Sequence, residues 1–117
     1  MLRDKANHSW SYNLKVKLGI QEPYKYELIQ NHPNPFNANT HIKYALGNAQ
    51  EQNTQLVIFD LMGKQIRTLI NMNQSTGIYD VIWDGKDDAG ESVSSGFYFY
   101  KITSGSFLMT RKMMLLK

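Results

Sequence analysis

Gln55-Leu56-Val57-Ile58-Phe59-Asp60-Leu61-Met62-Gly63-Lys64-Gln65-Ile66-Arg67-Thr68-Leu69-Ile70 decides how the rest of the chain is read. Leu56 to Phe59 are apolar on both faces of an extended chain, which suits a central strand with neighbours on either side. Asp60-Leu61-Met62-Gly63 then places Asp first and Gly fourth in a four-residue reversal. This is type I turn chemistry, because an Asp side chain accepts from the local backbone and Gly tolerates positive φ. Lys64 to Ile70 is therefore expected to return as the hairpin partner.

Towards the C-terminus, Asn71 to Gly77 is polar and reads as a connection, and Ile78 to Trp83 as a strand. Asp87-Asp88-Ala89-Gly90 repeats the Asp-x-x-Gly turn, and Glu91 to Gly96 is a short polar connection with room for one brief strand. Phe97 to Thr103 and Phe107 to Leu116 read as two strands joined at Ser104-Gly105, a tight-hairpin dipeptide. Alternation sends neighbouring aromatics to opposite faces, so most of Tyr98, Phe99 and Tyr100 are expected in a core, with Trp83 beside a turn anchored by Asp84.

Towards the N-terminus, Ile42, Tyr44 and Leu46 alternate with less apolar neighbours and mark a strand over His41 to Leu46. Asn31-His32-Pro33-Asn34-Pro35-Phe36-Asn37 cannot be helix, because each proline fixes its own φ and pushes the preceding residue into extended conformation. It reads as a stiff loop anchored by Phe36. Tyr24 to Ile29 is extended, Gly19 to Pro23 breaks the pattern, and Trp10 to Leu18 alternates strictly, as a half-buried strand does. We assign residues 1–27 to an upstream strand and linker of a parent protein, and residues 28–117 to one domain. About seven strands, turn signals every ~8 to 12 residues and no helical periodicity predict an all-β fold, an immunoglobulin-like antiparallel β-sandwich.

Composition narrows the function classes. With 117 residues, 42% hydrophobic and 12% aromatic, the chain has enough apolar content for one packed domain and too much for disorder. The net charge of +3 comes from scattered residues, not from a basic block that would neutralise a run of phosphates, so nucleic acid is not an expected partner. No cysteine is present, which excludes disulfides, thiolate nucleophiles and Cys-based zinc sites. The first residues, Met1 to His8, are charged where a secretory signal is apolar, and no apolar run is long enough to span a bilayer as a helix.

Catalytic patterns are missing. His8, His32 and His41 stand in separate segments without ligand spacing, and no nucleophile with a base, carboxylate pair or phosphate loop occurs, so neither an enzyme nor a cofactor is expected. Asp84, Asp87, Asp88 and Glu91 gather oxygens that suit calcium, but their spacing departs from the calcium loop and turn chemistry accounts for them; no metal site is expected.

Across residues 28–117 the sequence resembles the type A C-terminal sorting domain of type IX secretion. The resemblance rests on Gln30-Asn31-His32-Pro33-Asn34-Pro35-Phe36-Asn37, on Ile58 to Lys64 with Arg67-Thr68-Leu69, and on Trp83-Asp84-Gly85 with Asp87, Asp88 and Gly90. It continues in Ser95-Gly96-Phe97-Tyr98-Phe99-Tyr100 and the terminal Arg111 to Lys117. Among these, Pro33, Asn34, Pro35, Phe36, Asn37, Gly63, Trp83, Asp84, Gly85, Gly90, Gly96 and Tyr98 are motif positions with structural roles. Two departures are His32, where the family more often has an aromatic residue, and Ala38, where it more often has Pro. The middle block is shared with the immunoglobulin-like domain of flagellar hook-cap proteins, so residues 56–102 speak to fold. The Pro-Asn-Pro-Phe segment and the basic, leucine-bearing terminus speak to function.

The resemblance implies a signal that directs an exported cargo, its upstream neighbour in the parent chain, through the periplasm of a Gram-negative bacterium to the cell surface or medium. Its implied partners are an outer-membrane translocon and a sortase, and if the sortase cuts, cleavage is expected in the linker before Leu28. Arg111, Lys112, Met113, Leu115, Leu116 and Lys117 are the expected translocon-recognition residues, since a terminus on an edge strand offers free backbone groups and basic side chains. Two other readings are a structural assembly module of the hook-cap type and a carbohydrate-binding module of a secreted hydrolase.

Overall fold

The computed structural model describes residues 25–47 and 50–117; the alternating stretch Trp10 to Leu18 lies outside them. Its strands are β1 (Glu27–Leu28), β2 (Thr40–Leu46), β3 (Gln52–Asp60), β4 (Gln65–Gln74), β5 (Gly77–Trp83), β6 (Gly96–Ser104) and β7 (Phe107–Leu115). They form two sheets, ordered β1-β2-β5 and β4-β3-β6-β7, and each strand pairing is antiparallel. No described residue is helical. The fold is the expected immunoglobulin-like sandwich of seven strands.

β3 is central because its sequence permits it. Leu56, Val57 and Ile58 are all buried, with β4 on one side and β6 on the other. At its end the Asp60 carboxylate accepts from Met62 N at 2.9 Å and Lys64 N at 2.8 Å, and Gly63, at φ 88°, donates to Asp60 O. The second Asp-x-x-Gly segment folds the same way: Asp87 Oδ1 accepts from Ala89 N and Glu91 N, and Gly90 donates to Asp87 O.

Three local expectations are corrected. Asn71 to Gln74 is not a connection but the end of β4, paired with Gln55 to Gln52, because backbone pairing needs no apolar side chain. Gln74 is buried and its Oε1 accepts from the Tyr44 hydroxyl at 2.8 Å. The β6–β7 reversal falls at Gly105-Ser106, one residue later than expected. Ser104 stays in the strand, fully buried against Thr54 at 2.9 Å, and Gly105, at φ 59°, takes the first central position of a type II′ turn. Glu91 to Ser95 forms no strand of its own, only the isolated bridge Lys86↔Ser92, and Gly96 already opens β6.

The core lies between the sheets. Leu28, Ile42, Tyr44 and Leu46 face Leu56, Ile58, Tyr98, Tyr100 and Ile102, each fully buried apolar side chain contributing roughly 1.5–3 kcal/mol. Trp83 is fully buried, with its ring centroid 5.6 Å from Phe36 and 5.4 Å from Tyr98. Its Nε1 donates to Lys86 O at 2.9 Å, which satisfies its one polar atom. As alternation requires, Tyr98 and Tyr100 point inward while Phe97 is exposed.

Candidate functional site: a clasp on the terminal strand

β7 has one strand neighbour, β6, so its outer edge ought to carry unpaired backbone groups. Over the terminal half it does not. The proline loop, residues 30–37, runs beside β7 and forms the parallel bridge Phe36↔Leu115. Phe36 N donates to Met114 O at 3.0 Å, and Leu116 N donates to Phe36 O at 2.8 Å. Three amide side chains complete the contact. Asn34 Oδ1 accepts from Met114 N at 3.0 Å, Asn37 Nδ2 donates to Leu116 O at 3.1 Å, and Gln30 Nε2 donates to Lys112 O at 2.8 Å. Beyond the strand, Lys117 N donates to Ser95 Oγ at 3.0 Å.

The loop is itself held rigidly. The Tyr100 hydroxyl accepts from Asn31 N and donates to Ile29 O, both at 2.8 Å. Asn31 Nδ2 donates to Pro33 O and to Thr40 Oγ1, and the Thr40 hydroxyl donates to Pro33 O. The peptide bonds preceding Pro33 and Pro35 are cis. Burial pushes the Tyr100 phenol up to about 12 from 10.0, against the opposing pull of the Asn31 amide and the Arg111 charge.

Six terminal residues were singled out from the sequence, and the structure divides them. Met113 and Leu115 are core, 1% and 0% exposed. The Arg111 guanidinium is partly buried and its Nε donates to Leu28 O, so it ties β7 to β1. Lys112, Leu116 and Lys117 face solvent, with the Lys112 ammonium 4.9 Å from the centre of the Phe97 ring. The expectation of free backbone groups is thus corrected from Lys112 O to Leu116 O, where each outward group has a partner. Pulling Met113 and Leu115 out of the core would cost about 3–6 kcal/mol in side-chain burial alone.

The motif positions also sort by role. Phe36, Trp83 and Tyr98 are core, and Gly63 and Gly90 close the two Asp turns. Gly85 takes the left-handed φ of 73° on which the Trp83-Asp84-Gly85 corner turns, and a Cβ there would make only ordinary contact with Ala38 O, at 3.6 Å. Gly96 opens β6. Asp84 Oδ1 accepts from Arg67 Nη1 at 3.0 Å and from Lys86 N at 3.1 Å, while Asp88 Oδ1 accepts from Thr68 N at 3.0 Å. These carboxylates brace the edge of β4, and no group of three or more metal-ligating side chains is found among the described residues. His32 and His41 exchange backbone hydrogen bonds, and His41 Nδ1 lies 3.0 Å from Asp80 Oδ1. His8 lies outside the described residues.

Gln30, Ser95 and Tyr100 were not read as site residues. Gln30 stands inside the quoted Gln30–Asn37 block, but nothing in its sequence context says that its amide reaches a carbonyl in β7.

No helix of the described residues is long and apolar enough to cross a membrane. Among solved structures, the chain is similar to dimeric latent PorU from Porphyromonas gingivalis, at 21% identity and a TM-score of 0.66 over 78% of this chain and 9% of that one. It is also similar to PorZ of Porphyromonas gingivalis, described as a surface component of the type IX secretion system, at 18% identity and a TM-score of 0.49 over 75% of this chain and 11% of that one. The chain therefore spans about a tenth of either protein's length. No curated protein matches it. The family model of the FlgD Ig-like domain matches residues 37–106, a range that leaves β7 and Pro33 to Phe36 outside. With that match over more than half its length and seven strands in two antiparallel sheets, the chain belongs to the FlgD Ig-like domain family.

Proposed function

We propose that this domain is a C-terminal sorting signal, which directs an upstream cargo across the outer membrane by type IX secretion to the cell surface or medium. One observation supports the reading above the others. The two sequence blocks that set this chain apart from a hook-cap module, the Pro-Asn-Pro-Phe segment and the basic terminus, are hydrogen-bonded to each other along β7. In this reading the domain performs no chemistry of its own. The translocon and a sortase are its partners, and the linker before Leu28 is where a sortase cuts.

Fusing the full chain behind an export signal and a fluorescent protein, in a host with type IX secretion, is expected to place the fluorescence outside the cell. Retention in the periplasm would defeat the reading. The family match over residues 37–106 favours a second one, a structural module that packs against copies of a filament subunit. That module predicts a hook-assembly region upstream in the parent gene and no export of the fusion.

A further inference from the structure

The clasp lies in the part of the sequence that carries no carboxylate side chain. Residues 28–50 and 92–117 contain no Asp or Glu, yet they hold Lys43, Lys101, Arg111, Lys112 and Lys117. The neighbouring outer face of the larger sheet shares the bias: Lys112 stands opposite Phe99, and the Lys101 ammonium lies 5.2 Å from the Phe59 ring. Cations held over aromatic rings, in segments that carry no Asp or Glu, favour an acidic partner and disfavour a basic one.

The clasp is also closed. Burial of Met113 and Leu115 biases the terminal strand towards its docked form by roughly 10²–10⁴-fold. A partner that needed the tail as a free strand would lose that factor in affinity. What the docked form presents is exposed side chains on both arms, Pro33, Asn34, Pro35 and Asn37 on one and Lys112, Leu116 and Lys117 on the other. Leu116 is 50% exposed between the two lysines.

We propose that the partner is an acidic protein surface that binds the clasp closed, touching the proline loop and the terminal strand together. Leu116 enters an apolar recess in that surface, and carboxylates around the recess meet Lys112 and Lys117. This rests on the reading of the domain as a secretion signal and specifies what its receptor recognises.

The full chain, fused as above, is compared with four variants, and the melting temperature of each purified variant is measured in parallel. Ala38→Glu adds a carboxylate to the exposed loop just after the proline segment without removing a clasp hydrogen bond, and Lys117→Glu reverses a terminal charge. Each is expected to cut the exported reporter tenfold or more while the melting temperature stays within about 2 °C, and Ala38→Lys is expected to export normally. Asn39→Glu, on the same exposed loop, replaces Ala38→Glu if that variant fails to fold. The double change Asn34→Ala with Asn37→Ala loosens the clasp, so closed recognition predicts reduced export. Unchanged or increased export there, or normal export of Ala38→Glu, overturns the proposal while leaving the secretion reading intact. Absence of export from the unaltered fusion overturns that reading itself.

Discussion

Phe36 and Leu115, from opposite ends of the domain, lie side by side as a parallel bridge. Both are core, at 2% and 0% exposure, and the backbone of Phe36 bonds to the residues on either side of Leu115. The domain is thereby closed by its first and last segments, and the terminal half of β7 is hydrogen-bonded along both edges.

Removing single arms of this clasp should show locally. Asn34→Ala leaves Met114 N without its acceptor, at a cost of about 0.5–1.5 kcal/mol. Hydrogen exchange is the direct measurement. The Met114 amide should exchange faster in Asn34→Ala, while amides in the middle of β3 stay protected. Equal acceleration throughout would mean that the clasp and the sandwich open as one unit.

Phe36 should matter more than any polar arm. Its ring packs 5.6 Å from Trp83 and is 2% exposed, so Phe36→Ala is expected to destabilise by about 3–5 kcal/mol. Met113→Ala and Leu115→Ala should each cost about 2–5 kcal/mol. Urea unfolding midpoints give the values. A loss below about 1 kcal/mol for Phe36→Ala would show that the proline loop is only laid against the sandwich.

How much of this was legible in the sequence depends on how locally each feature is encoded. Period-two alternation marked Ile42, Tyr44 and Leu46, and the Asp-x-x-Gly spacing marked both turns, because each acts within a few residues. The end of β4 was hidden, since Asn71, Asn73 and Gln74 are polar and only the pairing with β3 makes the stretch strand. The clasp was hidden more deeply. Asn34 and Asn37 read as loop formers, and their bonds to Met114 N and Leu116 O exist only once the sheets have brought the chain ends together. Arg111 read as a recognition residue, yet its Nε is engaged with Leu28 O.

Calcium should leave the domain unchanged. A calcium ion prefers 6 to 8 oxygens, but Asp84 Oδ1 already accepts from Arg67 and Lys86 N. Asp87 Oδ1 accepts from two backbone amides and Asp88 Oδ1 from Thr68 N. Melting curves with and without calcium are expected to superimpose. A rise in melting temperature that increases with calcium concentration would indicate a site in the 84–91 loop.

Alkaline pH should unfold the domain through its buried phenols. Burial raises both Tyr44 and Tyr100 to about 12 from 10.0, with the Asn31 amide opposing the shift at Tyr100. The unfolded chain releases these protons near pH 10, whereas the folded chain keeps them until about 12. Their stabilising contribution is therefore complete below pH 10 and declines as the pH rises towards 12. Tyr100→Phe removes one of these titrations, so the fall in urea midpoint over this range should become shallower. At neutral pH the same change leaves Asn31 N without its acceptor, costing about 1–3 kcal/mol. A Tyr100→Phe variant whose stability falls as steeply as the parent's between pH 10 and 12 would show that the Tyr100 hydroxyl titrates freely in the folded domain, and that the clasp is not anchored through it.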